Sequence, residues 1–196
     1  LGAALRRTRV HGLSVLPATG RDLSAPAAVT SDRSAEWREL VGQAMGLADV
    51  VIVDCPAGMS HTTAEILKSV THVLGIFQAE TVASRSFEMF ERGLAALDAE
   101  TRPAVAGVVV NMLRDDTASK GVYEGLMGGD TARYVMETAI LRSDAFEVAA
   151  AAAIPVRLHG GDAARKLAWL FDNLASELTA RLPLGQGQTD AGAFML

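Results

Sequence analysis

A single cysteine, Cys55, occurs in these 196 residues. That excludes an intramolecular disulfide framework and any multi-cysteine zinc site. The four histidines, His11, His61, His72 and His159, fall at no ligand spacing, so a histidine-based metal centre is not expected. Aromatic residues are only 5% against 49% hydrophobic overall, which makes the core aliphatic and alanine-rich. Such a core suits helices packed on a Val/Ile/Leu sheet better than an aromatic β-sandwich. Basic charge is in deficit, the net charge being −5, which argues against a nucleic-acid footprint over the whole surface while leaving room for a local basic patch. Long apolar runs are missing too: none approaches the ~20 residues of a membrane span, and the N-terminal stretch lacks a signal-peptide layout. A soluble, cytoplasmic protein with no membrane partner is the expectation. The first residue is Leu1, which a processed chain, an excised piece and an incomplete gene product would all share.

What is present alternates between two periods. Gly12–Ala18 is a short extended run stopped by Pro17. Ser34–Ala48 carries Trp37, Leu40, Val41, Ala44 and Leu47 at helical spacing. Asp49–Asp54 is continuous and β-branched, which predicts a strand buried on both faces. Ala64–Val70 reads as a helix and His72–Phe77 as a second buried strand. Thr81–Ala99 is an amphipathic helix with Phe87, Phe90, Leu94 and Leu97 inward, and Ala104–Asn111 is a third strand. Ala132–Ile140 offers a weaker fourth. Ser143–Ala153 and Asp162–Leu182 read as helices capped by Ser143 and Asp162. The stretch 183–196 is Gly-rich and unpatterned, which predicts a flexible tail. Apolar strands alternating with helices mean a parallel sheet covered on both faces, one α/β domain over 1–182.

In an open parallel sheet ligands bind at the carboxyl ends of the strands. Three such ends are chemically marked: Asp54 after VVIV, Gln78 and Glu80 after LGIF, and Asn111 after GVVV. A carboxylate at the end of a buried strand, followed by Pro56 and Gly58, is placed to hold a hydrated Mg²⁺ beside a nucleotide phosphate. The alternative is that Asp54 only caps the turn. Asn111 offers an amide donor and acceptor to an adenine edge, or else closes its strand in an Asx-turn. Glu80 is read as a cap for the helix that follows. Asp115 and Asp116 are read as solvated loop acids, Cys55 as a small filler without a histidine partner, and Arg6, Arg7 and Arg9 as a solvated edge.

In order, these segments resemble the ParA/MinD family of deviant P-loop ATPases. GLSVLPATGRDLSA is similar to that family's strand and Leu-Pro turn, ADVVIVDCPAG to its Walker B strand and switch, and GVVVNMLRDD to its adenine-side strand. The run from Thr138 to Leu182 is similar to the family's C-terminal pattern. The resemblance covers roughly Gly12 to Leu182 and implies a P-loop NTPase-like α/β fold with ATP and Mg²⁺ as cofactors. It implies Asp54 as the magnesium acid, Gly58 as the γ-phosphate-sensing glycine and catalytic partner of Asp54, and Pro56 as the start of that switch against the nucleotide. Asn111, Leu141 and Arg142 are implied around the base. The chain departs from the pattern at Gln78-Ala79-Glu80 and at Leu141, where the family often has proline.

The larger departure is a missing motif. No G-x-x-x-x-G-K-[ST] occurs in the sequence, and its only lysines, Lys68, Lys120 and Lys166, follow no glycine-rich turn. In the family that loop cradles the phosphates on a helix N-terminus and precedes the first strand seen here. The resemblance therefore implies a nucleotide-dependent dimerising switch, positioning DNA or other cargo, in which these residues correspond to the C-terminal two-thirds and have lost ATP binding on their own. A homodimer, with DNA or a cargo adaptor as further partner, is implied. Arg133, Arg142, Arg157, Arg165 and Lys166 are the candidate DNA contacts. A non-catalytic pseudo-ATPase module and a cellulose-synthesis ATPase are the alternatives. A related nucleotide enzyme of the same fold, a cobyrinate-type amidotransferase or a dethiobiotin synthetase-like ligase, is disfavoured because no glutaminase nucleophile or substrate-clamp cluster is evident. A sheet deprived of an interior strand must close the gap or expose unpaired edges.

Overall fold

The structure, a computed structural model, describes residues 1–18, 33–129, 131–182 and, for the backbone, 192–195. It opens with a small antiparallel ladder of β1 (Arg6–Arg7) and β2 (Ser14–Val15). Thr8 closes it, donating its hydroxyl to the Leu13 carbonyl at 3.0 Å and accepting from the Val10 N–H at 3.0 Å. The Gly12–Ala18 run therefore does not join the main sheet, and Leu13 and Val15 stay exposed.

The main body alternates as the two periods demand: α1 (Ser34–Met45), β3 (Val50–Val53), α2 (His61–Leu67), β4 (His72–Gln78), α3 (Ala83–Ala95), β5 (Ala104–Asn111), α4 (Thr117–Gly128), α5 (Ala145–Ala151), α6 (Asp162–Arg181) and β6 (Gly192–Met195). The sheet runs β3-β6-β4-β5 with every pairing parallel. The α/β class, a parallel sheet with helices on both faces, is as expected. Most helix ends fall inside the predicted runs, but α2 begins at His61, three residues before the expected Ala64, because Ser60 caps it there. α5 starts after Asp144 rather than Ser143, although the Ser143 hydroxyl accepts the Ala145 N–H at 3.2 Å. Gly161, at φ +106°, stands at the cap of α6, and Asp162 lies within its first turn.

Side-chain alternation along the strands sorts the core into two layers. On one face Val73 packs with Val41 of α1, Ile66 and Leu67 of α2 and Leu94 of α3, with Val51 and Val53 against them. Phe77, Phe87 and Phe90 form an aromatic trio there, with centroids 5.7 to 6.2 Å apart. On the other face Leu74 and Val109 pack with Met136, Ile140 and Leu174 under α6.

That second layer stops short. Val50 is 40% exposed, Ile52 59% and Ile76 49%, all on the face that α6 covers only over β5 and part of β4. The expectation that Asp49–Asp54 is buried on both faces is thus corrected: β3 is exposed on one face and only partly buried on the other.

Two further segments differ from the sequence reading. Ala132–Ile140 forms no full strand but runs beside β5 through single bridges, Val108 to Val135 and Leu113 to Leu141. The Met136 N–H donates to the Val108 carbonyl at 2.8 Å and the Ile140 N–H to the Val110 carbonyl at 2.9 Å. Gly192–Met195, read as part of an unpatterned tail, is an interior strand, pairing from Val50–Gly192 to Val53–Met195 with β3 and at His72–Phe194 and Val73–Met195 with β4. Residues 183–191 and 196 lie outside the described residues.

Candidate functional site

Because all four strands are parallel, Asp54, Gln78 and Asn111 leave the sheet at the same end. Asp54 follows β3 directly and is exposed. The loop after it turns through Gly58 at φ +84°, a left-handed conformation that a side chain disfavours. Open space surrounds the position a Cβ would take there, so the backbone angle alone asks for glycine. Met59 then anchors the loop on α3, its side chain lying where a Cβ on Gly93 would sit. Ser60 caps α2, its hydroxyl accepting the Thr63 N–H at 3.1 Å. Behind this, the buried Glu65 carboxylate accepts the Arg33 N–H at 2.9 Å and meets His61 Nε2 at 3.2 Å, tying α2 to the start of α1.

Cys55 is half-buried, and its thiol is pushed up to about 11, first by burial and then by the negative charge of Asp54. It is protonated at neutral pH, which suits a packing role and not a nucleophile.

Across the sheet, Asn111 turns its Oδ1 back to accept the Met112 N–H at 2.9 Å, and Met112 adopts φ 56°. The amide carbonyl is thereby engaged by the next residue's N–H, one position short of the bond of an Asx-turn, while Nδ2 has no partner among the described residues. A non-glycine residue in the left-handed region beside a strand end is a local strain worth about 1 kcal/mol or more, of the kind found at binding sites.

Beyond Asn111 the chain passes Leu113, whose N–H donates to the Ile140 carbonyl and whose carbonyl accepts the Arg142 N–H, each at 3.0 Å. This brings Leu141 and Arg142 to a cavity of about 440 Å³ that Arg114, Asp115, Asp144 and Lys166 also line. A neighbouring cavity of about 330 Å³ lies between the end of β4 and α4, with Glu80, Arg114 and Ser119 in its wall. Glu80 does not cap α3, which begins after Val82 with no side-chain cap.

Asp54 and Pro56 stand at one edge of this row and Asn111 with Leu141 and Arg142 at the other. Three inter-strand spacings separate β3 from β5, about 14 Å. Asp54 thus does not touch the base-side residues. Among the described residues no group of three His, Cys, Asp or Glu is disposed to hold a metal. A cation at Asp54 would take its other ligands from water and phosphate oxygens, a donor set that suits Mg²⁺ better than zinc.

Sequence reasoning missed Ser119. It is buried, donates its hydroxyl to the Ala79 carbonyl at 3.1 Å, and accepts the Arg114 N–H at 3.1 Å. It fixes the β4 end and the Arg114 loop together. The acids taken as solvated also have partners: the Asp116 carboxylate accepts the Ser119 N–H at 2.7 Å as the cap of α4, and Asp115 pairs with Lys120. These contacts hold both carboxyls below the usual range. Of the candidate DNA contacts, Arg157 pairs with Asp172 and Arg165 with Asp162, and Arg133 lies over the Tyr134 ring, 4.7 Å from its centroid.

Two solved structures of cobyrinic acid a,c-diamide synthase from Mycobacterium smegmatis resemble this chain, one with a bound ATP analog and magnesium, the other with ADP and magnesium. In each the TM-score is 0.60 and the identity 26%, over 73% of this chain and 60% of theirs. The chain thus spans less than two-thirds of those proteins. No family model matches the sequence, and no curated protein does. The fold is α/β and P-loop NTPase-like. Both structures are of the cobyrinate-type enzymes that the sequence reading disfavoured. Among the described residues no helix is long and apolar enough to cross a membrane.

Proposed function

We propose that the chain carries the magnesium side and the base side of a ParA/MinD-type ATPase site, and that in action it is a nucleotide-dependent dimerising switch that positions DNA or other cargo. The observation that carries this reading is the row of strand ends, with a carboxylate, a left-handed glycine and an asparagine across about 14 Å of parallel sheet. The similar structures hold ATP-type ligands with magnesium. Asp54 would orient a hydrated Mg²⁺ against the terminal phosphates, and Gly58 and Pro56 would form the responsive loop. Asn111 Nδ2, Leu141 and Arg142 would meet the base and sugar. When bound, the cation supplies charge stabilisation to the transferring phosphoryl group.

A second reading, a pseudo-ATPase that binds partners without hydrolysis, is favoured by one observation: no G-x-x-x-x-G-K-[ST] occurs in these residues. Calorimetric titration separates the two. The chain alone is expected to bind ATP more weakly than the micromolar range, with Mg²⁺ dependence that Asp54→Asn abolishes. Arg142→Ala should weaken ATP but not pyrophosphate. Micromolar binding would refute the need for a separate phosphate cradle, and Mg²⁺-independent binding indifferent to Asp54→Asn would refute the site.

A further inference from the structure

None of the residues around the cavity of about 330 Å³ between the end of β4 and α4 has a role in the proposed nucleotide site. One buried atom sets its width. The Ser119 hydroxyl donates to the Ala79 carbonyl on one wall and accepts the Arg114 N–H on the other, each at 3.1 Å. The Ala79–Glu80 turn is pinned further. The Ala79 N–H donates to the Asn111 carbonyl at 2.9 Å, and the Glu80 carbonyl accepts the Ala83 N–H at 2.8 Å. An acid-bearing turn and an arginine-bearing loop thus face the same space from a fixed backbone.

Each wall presents a charge that the fold leaves unspent. The Asp116 carboxylate accepts from Arg114 Nε at 2.8 Å with one oxygen and caps α4 with the other. That contact fixes the guanidinium, while its two terminal nitrogens have no partner among the described residues. The Glu80 carboxylate neither caps α3 nor pairs with Arg114, and it too has no partner among the described residues. Between the two charges the wall is small and aliphatic: Ala79, Val82, Ala118 and Val122. A simple anion would gain from Arg114 and be repelled by Glu80, and a simple cation the reverse. A small zwitterion with an apolar side chain satisfies both, because the guanidinium fork takes a carboxylate through paired N–H bonds and Glu80 accepts from an ammonium. The volume falls within the range of small-molecule sites, roughly 300–1,000 Å³.

We propose that this cavity binds a free aliphatic α-amino acid, with Arg114 on its carboxylate, Glu80 on its ammonium and the aliphatic wall around its side chain. Ser119 and Asp116 act as positioning residues, holding the two charges at a spacing that suits one ligand. The site uses neither Asp54 nor Mg²⁺, so it stands or falls separately from the proposed function.

Calorimetric titration of the full chain, without Mg²⁺ or nucleotide, tests it. The probes are leucine, valine, glutamate and lysine, together with N-acetyl-leucine and leucinamide, each of which lacks one of the two charges. Leucine or valine should bind in the millimolar range or tighter, and better than glutamate or lysine. Removing either charge from leucine should weaken binding about tenfold, the size of one charge-assisted hydrogen bond. Glu80→Gln should weaken leucine by a similar factor without weakening N-acetyl-leucine, and Arg114→Gln should weaken leucine without weakening leucinamide. No binding of leucine or valine up to about 10 mM, equal binding of leucine and both derivatives, or a preference for glutamate or lysine would overturn the proposal. The comparison of leucine with its derivatives uses the unaltered chain, so it decides even if a variant fails to fold.

Discussion

Asp54 and Cys55 are neighbours whose roles divide along burial. The exposed carboxylate is free for a cation, while the thiol beside it is held protonated by burial and by that same carboxylate. Raising an acid from 9.0 to about 11 leaves the folded state holding its proton more tightly than the unfolded chain. Its contribution to stability is therefore full below the unfolded value and is lost as pH climbs through the folded one. Alkylation by iodoacetamide should run about 100-fold slower than for a free thiol at pH 8, rising steeply only toward pH 11. A rate at pH 8 equal to that of an unfolded control would contradict this environment. The sequence suggested an inert cysteine from the lack of a histidine partner. The structure replaces that negative argument with a cause.

At the scale of elements, the strands and long helices were legible because their signals are local. Val50–Val53 and Ala104–Asn111 are β-branched runs, and α3 and α6 repeat apolar residues at helical spacing. Helix α4 escaped because Gly121, Gly125 and Gly128 weaken its pattern and propensity. Its one clear signal was Asp116, an N-cap hidden in a loop of charges. Asp116→Ala should lower the midpoint of chemical denaturation, further if the Arg114 loop loosens with it. β6 escaped for a different reason. Its partners lie far away in sequence, and a four-residue segment carries no period of its own. The site was legible in its residues, since strand ends mark themselves, but not in its spacing. That Asp54 and Asn111 stand three strand spacings apart follows only from the sheet order.

The molecule as a whole is lopsided. One face of the sheet is fully layered by α1, α2 and α3, while the other is covered over β5 and bare over β3. Substitutions should report this imbalance directly. Leu67→Ala, at a fully buried position, should cost about 2–5 kcal/mol. Ile52→Ser, on the bare face, should change stability by about 0.5 kcal/mol or less and improve solubility. A large loss at Ile52 in thermal denaturation would mean that something covers that face in solution.

The position of β6 also sets the tempo of folding. β3 is joined into the sheet by residues synthesised after every other described part of the chain. The β4–β5 pair, with α3, α4 and α6, has its partners close at hand and can consolidate early. The α1–β3–α2 end is joined by a contact between residues 142 apart in sequence, Val50 with Gly192, and such long-range pairing is slow. Until it forms an apolar strand edge stands open, so the ribosome-bound intermediate is the form of this protein most exposed to chaperones and to its own aggregation.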